Sequence, residues 1–104
     1  MIKDKKELDK LFEAIPDGHH NPLVVPNKEV AFRNMVAEAN TKGDCIINVR
    51  KGYYRPIPGD EIDEREFSHY TARELHRARA IQFKRLNMID AFDQKRYERL
   101  VSNG

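Results

Sequence analysis

The first apolar repeat of the chain predicts an amphipathic helix from Asp4 to Ile15. Its large apolar side chains recur every three to four residues, which places them on one helix face: Leu8, Leu11, Phe12 and Ile15. The Asp4 side chain is placed to cap the first turn of this helix, and Pro16 follows the last apolar residue of the repeat. We therefore expect one face of this helix to contribute to the core.

A second repeat predicts a helix over residues 27–42. The positions that share its apolar face are Phe32, Met35, Val36 and Ala39. Asn27 has a side chain suited to a helix cap, and Gly43 is suited to the helix end. Between the two helices, the β-type run Leu23-Val24-Val25 is flanked by prolines. We expect it to form a short strand.

Residues 45–57 change to the pattern of a β-hairpin. Both arms are rich in β-branched and aromatic residues: Ile46, Ile47, Val49, Tyr53 and Tyr54. Arg50, Lys51 and Gly52 form the predicted turn, in which glycine supplies the positive φ of a three-residue hairpin loop. The run at Leu23 is expected to pair with this hairpin as a third strand. Cys45 is expected to be a small buried strand residue.

The longest pattern begins at the predicted cap Asp60 and continues to about Leu100. One broad apolar stripe follows it: Phe67, Tyr70, Ala78, Ile81, Met88, Ile89 and Phe92. A helix of about forty residues is on the order of 60 Å long, more than one small domain can cover. Either the helix folds back near Asn87, or a second chain packs against it. We favour a homodimer through this helix.

These elements predict an α+β fold with a winged-helix-like domain at residues 1–59 and a helical extension at 60–104. No run is apolar enough to span a bilayer, so no membrane role is expected. The single cysteine excludes an internal disulfide and favours a reducing cytoplasm. The net charge is only +2, so the distribution of charge has to indicate any nucleic-acid partner.

Polar side chains on the second helix suit a DNA groove. The face opposite its apolar stripe carries Arg33 and Asn34 beside small residues, and Lys28 stands at its first turn. Asparagine can bond adenine and arginine can bond guanine in the major groove. A mixed solvent-facing surface is the alternative explanation for this face.

The predicted hairpin and the last helix add cations. Arg50, Lys51 and Arg55 are placed to bind phosphates, and Tyr54 would either stack in the core or donate its hydroxyl to a phosphate. Further along, one narrow sector of the last helix carries a basic ridge, which is either part of a phosphate footprint or a solvated face: Arg73, Arg77 and Lys84.

Catalytic and metal patterns are weak. His19 and His20 have no cysteine or acidic residue at ligand spacing, and His69 and His76 lack the acidic neighbour of a helical zinc motif. The five glycines are scattered, so no phosphate-binding loop is predicted. We therefore expect a protein that is not an enzyme and that has no cofactor or metal.

The segment from Asn27 to Pro56 resembles the recognition helix and wing of winged helix-turn-helix proteins from phages and prophages of Gram-positive bacteria. The matching residues are Ala39-Asn40-Thr41-Lys42-Gly43, Ile46-Ile47 and Gly52-Tyr53-Tyr54-Arg55-Pro56. That family usually has a further helix before the recognition helix, and here only Leu23-Val24-Val25 occupies the place. The resemblance implies a double-stranded-DNA-binding protein, regulatory or accessory to replication or excision.

A partner of another class is the alternative. A small, highly charged chain on a DNA-binding scaffold also suits a phage inhibitor of a host defence nuclease, of the anti-CRISPR kind. The acidic segment from Asp60 to Glu66 could then imitate phosphates and occupy a basic channel of a host protein.

Overall fold

The computed structural model describes residues 4–26 and 28–103, and these form an α+β structure. Its elements in chain order are α1 (Lys5–Glu13), α2 (Val30–Thr41), β1 (Ile47–Val49), β2 (Gly52–Tyr54) and α3 (Glu61–Asn103). The α+β class and the order of the helices and the hairpin agree with the sequence prediction.

Helix α1 begins where the sequence predicts, because Asp4 caps its first turn. The Asp4 carboxylate accepts a hydrogen bond of 2.9 Å from the backbone N–H of Lys6. This bond satisfies one of the free donors at a helix start. The apolar face packs against the core through Leu8, Leu11 and Phe12, and Ile15 is buried just beyond the helix.

Helix α2 is shorter than the predicted range 27–42, since it begins at Val30. Asn27, predicted as its cap, lies outside the described residues. Phe32 and Val36 are buried, as their spacing predicts. Gly43 follows the helix with a φ of +109°, a backbone conformation that favours glycine. The predicted close of the helix is therefore confirmed.

Strands β1 and β2 form the predicted antiparallel hairpin, with Val49 opposite Gly52 at the turn. Arg50 and Lys51 alone connect the strands, so the turn has two residues instead of the predicted three, and Gly52 begins β2. Gly52 has a φ of +137°, and a Cβ atom there would lie 2.5 Å from the carbonyl oxygen of Leu23. Backbone conformation and lack of space therefore both require glycine at this position.

The predicted third strand is reduced to one residue pair. Leu23 and Tyr53 exchange two backbone hydrogen bonds of 2.8 Å, while Val24 and Val25 have no strand pairing. On the same edge of β2, the N–H of Arg55 donates to the carbonyl of Pro16 at 2.8 Å. Strand β2 therefore lies between β1 and residues of the loop that follows α1.

The two faces of β2 bury successive tyrosines in different surroundings. Tyr53 contacts Phe32 of α2 edge-on, with ring centroids 5.0 Å apart, in a core that also contains Ile15, Val36 and Ile46. Tyr54 points to the other face, because side chains alternate along a strand. Both tyrosines are buried. Side chains on both faces of the two-stranded hairpin are therefore buried.

Cys45 is exposed and precedes β1, so the prediction of a buried strand residue is wrong. Strand β1 starts two residues after Cys45, and the residue between them, Ile46, is buried. Ile46 is fixed by Asn40, whose side-chain amide donates to the Ile46 carbonyl at 2.9 Å and accepts from the Ile46 N–H at 2.8 Å.

Helix α3 begins directly after the predicted cap Asp60 and continues through Asn87, so of the two alternatives the fold-back near Asn87 does not occur. The Asp60 carboxylate accepts a hydrogen bond of 3.0 Å from the N–H of Asp63. The chain divides into two compact units, Met1–Tyr70 and Thr71–Gly104. The first ten residues of α3 therefore belong to the N-terminal unit, whereas the sequence placed the boundary at residue 59.

Candidate nucleic-acid interface

The turn of the hairpin presents two cations to solvent. Arg50 and Lys51 are exposed, and the ion pairs of the described residues include neither of them. Both line a groove of about 360 Å³ together with Val24, Val25 and Gly52. An exposed pair of cations without carboxylate partners is free to bind an anion such as phosphate.

Lys28 follows the groove in the chain and is exposed. Val25 lines the groove beside Arg50 and Lys51, and Lys28 is exposed three residues further along the chain. Three residues span at most about 11 Å, so the backbone of Lys28 lies within that distance of Val25. Lys28 is thus an exposed cation on the segment that leads from Val25 into α2.

Arg33 and Asn34 are exposed on α2, outside its buried face. Arg33 lies near enough to Tyr53 to act on its phenol: burial raises the pKa of Tyr53, and the Arg33 charge partly offsets that rise. Arg33 is thus exposed on α2, with its charge within electrostatic reach of the hairpin residue Tyr53.

Arg55 has a structural role that the sequence did not reveal. Its guanidinium donates two hydrogen bonds to the Asp44 carboxylate, at 3.0 and 2.9 Å, and a third of 3.3 Å to the carbonyl of Ile15. It also lies 5.5 Å from the ring centre of Phe12. These contacts join α1, the end of α2 and the hairpin, so we assign Arg55 to the fold rather than to phosphate binding.

The same contacts affect the protonation of both partners. The hydrogen bond from Arg55 lowers the pKa of the Asp44 carboxyl, and the bond to Asp44 raises the pKa of Arg55. Each charge stabilises the other, and the guanidinium is already neutralised locally.

Tyr54 occupies the core, one of the two roles predicted for it. Its side chain is 0% exposed, and its hydroxyl donates a hydrogen bond of 2.8 Å to Glu66 in the first turns of α3. Burial raises the pKa of the Tyr54 hydroxyl, and the Glu66 carboxylate raises it further. The hydroxyl therefore stays protonated and connects the hairpin to α3 instead of facing a phosphate.

The basic ridge of α3, which belongs to the second unit, is exposed throughout: Arg73, Arg77 and Lys84. The guanidinium of Arg77 lies 3.5 Å from the Glu74 carboxylate, an exposed pair of small energetic weight. Residues 71–104 contain eight lysines and arginines against four carboxylates, so this unit is basic as a whole.

The acidic start of α3 is largely committed to the fold. Asp63 is 0% exposed and accepts from the Nδ1 atom of His19 at 2.5 Å and from the N–H of Ile57 at 2.8 Å. Asp60 caps the helix, and the N–H of Asp63 lowers the pKa of that carboxyl. Glu66 accepts from the buried tyrosine. Few carboxylates of this segment remain available to imitate phosphates.

His19 has acidic neighbours that sequence spacing did not indicate. Its Nδ1 atom lies 3.5 Å from Asp60 and closer still to Asp63, forty-odd positions away in the chain. Among the described residues, these three side chains form a group close enough to hold a metal ion, with ligand atoms within 4.8 Å of one another. Both oxygens of Asp63 already accept hydrogen bonds, which accounts for the cluster without an ion.

Comparison with protein-family models, with curated proteins and with solved structures finds no match to this chain. Across residues 4–26 and 28–103, no helix has the length and apolar character needed to cross a membrane.

Proposed function

We propose that the chain is a small double-stranded-DNA-binding protein of the phage winged-helix kind, regulatory or accessory to replication or excision in a bacterial host. The observation that carries the proposal is the state of the cations in the hairpin. Arg55 is tied to Asp44, whereas Arg50 and Lys51 at the turn are exposed and unpaired within the described residues. That division fits a wing whose base is fixed and whose tip binds phosphates.

In this proposal α2 lies in the major groove, with Arg33 and Asn34 toward the bases. Lys28, Arg50 and Lys51 hold phosphates near the helix entry. Further phosphate contacts come from the basic ridge of the second unit: Arg73, Arg77 and Lys84. Tyr54 and Arg55 support the wing without touching DNA.

The alternative role as a protein inhibitor receives less support from the site. It depends on free carboxylates between Asp60 and Glu66, and Asp63 is buried while Glu66 is bonded to Tyr54. A phosphate mimic needs its charges at the surface, and here only part of the segment offers them.

The salt dependence of DNA binding tests the proposal. Fluorescence anisotropy with a short labelled duplex, from about 50 to 200 mM salt, gives the slope of log affinity against log salt. Each phosphate contact contributes about 0.9 to this slope, so R50A/K51A should flatten it by about 1.8. The loss of affinity should be similar for any duplex sequence, because phosphates carry no sequence information.

K5A/K6A is the matched control, since it removes the same charge from exposed positions of α1. It should alter the slope by much less than one contact. Absence of binding at low salt would refute the DNA-binding proposal. Binding with a slope that R50A/K51A and K5A/K6A change equally would refute the role of the hairpin turn.

A further inference from the structure

Residues 71–103 of the second unit form a single helix whose apolar side chains are exposed to solvent. Residues 71–102 are all exposed. The large apolar side chains among them are Leu75, Ile81, Phe83, Leu86, Met88, Ile89, Phe92, Tyr97, Leu100 and Val101, each between 42% and 70% exposed. Large apolar side chains exposed in this number along one helix mark a candidate interaction surface.

One face of this helix is symmetric about Ile89. A helix that pairs with another presents positions at offsets of about three, four, seven and eleven residues from a central position. On the N-terminal side of Ile89 these positions hold Leu86, Arg85, Gln82 and Ala78, and on the C-terminal side they hold Phe92, Asp93, Arg96 and Leu100. Leu86 thus corresponds to Phe92, and Ala78 to Leu100. Arg85, four residues before Ile89, corresponds to Asp93, four residues after it.

We propose that two copies of this chain pair through residues 75–103 as antiparallel helices centred on Ile89. Each Leu86 then packs against Phe92 of the partner subunit, and each Arg85 faces Asp93 of the partner subunit. The basic ridge of Arg73, Arg77 and Lys84 stays on the outside. This inference does not depend on DNA binding.

Charge selects the antiparallel orientation. In a parallel pair each central residue faces its own copy, so Arg85 would meet Arg85 and Asp93 would meet Asp93, and like charges repel. Residues 71–85 carry five lysines and arginines against one glutamate, whereas residues 86–103 carry three of each sign. Antiparallel pairing brings the basic half of one helix beside the acidic residues of the other.

The surface is large enough for a stable dimer. With the centre at Ile89 the helices overlap over residues 75–103, which is about 44 Å at 1.5 Å per residue. The apolar side chains on this face are about half exposed, so each adds on the order of 100 Å². With the flanking side chains of Ile81 and Tyr97 and the stems of Gln82, Arg85 and Arg96, the buried area approaches about 800 Å² per chain, the usual size of a specific interface.

Light scattering after size exclusion of the full chain tests the pairing. We expect twice the chain mass of 12.2 kDa at micromolar concentration. R85D and D93R should each weaken association by about tenfold, because each creates two repulsive contacts in the symmetric pair. The double variant R85D/D93R should restore it. K95D is the matched control: it makes the same charge change away from this face and should leave the mass unchanged.

Cross-linking tests the orientation, in a C45S background that removes the native cysteine. A78C mixed with L100C should form a disulfide between chains on mild oxidation, while A78C alone and L100C alone should not. Self-linking of A78C and of L100C would indicate parallel helices and overturn the inference. A mass of one chain at all concentrations would overturn it as well, and so would a double variant R85D/D93R no tighter than either single variant.

Discussion

Replacing Arg55 by alanine separates a structural arginine from a DNA-binding one. The substitution removes both hydrogen bonds to Asp44, the bond to the Ile15 carbonyl and the contact with the Phe12 ring. It leaves Asp44 without its cationic partner at the junction of α2 and the hairpin. The expected result is a less stable N-terminal unit.

The size of the loss follows from the exposure of the pair. Hydrogen bonds to charged groups contribute about 1.5–3 kcal/mol each when sheltered. The Arg55 and Asp44 side chains are 29% and 28% exposed, so water screens part of this energy. We expect a total loss of about 2–3 kcal/mol. At about 4–8 °C per kcal/mol for a small domain, the Tm should fall by about 10–20 °C.

Near-ultraviolet circular dichroism during heating reports this unit. The chain has no tryptophan, and three of its four tyrosines lie before residue 71. R50A is the matched control, since it removes the same side chain from the exposed turn and should cost less than about 0.5 kcal/mol. A cycle of D44A, R55A and D44A/R55A should give a coupling energy of about 1–2 kcal/mol.

Equal unfolding temperatures for R55A and R50A would refute this assignment. The reasoning would also be wrong if R55A kept full stability and flattened the salt slope of DNA binding by about one contact. Arg55 would then be a phosphate ligand, as the sequence first indicated.

Three other substitutions probe the hairpin. Arg55 lowers the pKa of Asp44 below its ordinary value of 3.8. The folding stability that this ion pair contributes is therefore complete above pH 3.8 and is lost as the pH falls through the lower pKa of the folded state. Urea titrations should show less acid sensitivity for D44N than for the native chain. Y54F leaves the shape of the core intact but removes the bond to Glu66, so urea unfolding should show a loss of about 1–3 kcal/mol with no change in the DNA salt slope; an altered slope at full stability would contradict the buried role. G52A should cost several kcal/mol more than G43A, because both positions have positive φ but only a Cβ at Gly52 meets backbone atoms; thermal unfolding at the same temperature for both variants would contradict this.

Local patterns in the sequence predicted most of the helices and the hairpin. The caps Asp4 and Asp60, the spacing of Phe32 and Val36, and the positive φ of Gly52 are set by residues within a few positions of one another. Helix periodicity, capping and turn conformation depend on neighbouring residues, so a single sequence contains the information.

Contacts between distant residues decided the roles of the candidate site residues. The sequence predicted Arg55 to be a phosphate ligand. In the structure its guanidinium donates hydrogen bonds to Asp44 and to the Ile15 carbonyl, eleven and forty positions away. The sequence placed Asp63 in an acidic segment that could imitate phosphates. In the structure its carboxylate accepts hydrogen bonds from His19 and from the N–H of Ile57. The sequence placed Arg50 and Lys51 in a tight turn, and the structure shows both exposed, as a tight turn faces solvent in any fold of the hairpin. The sequence did not predict which other charges would be paired, because ion pairing depends on which segments the tertiary structure brings together.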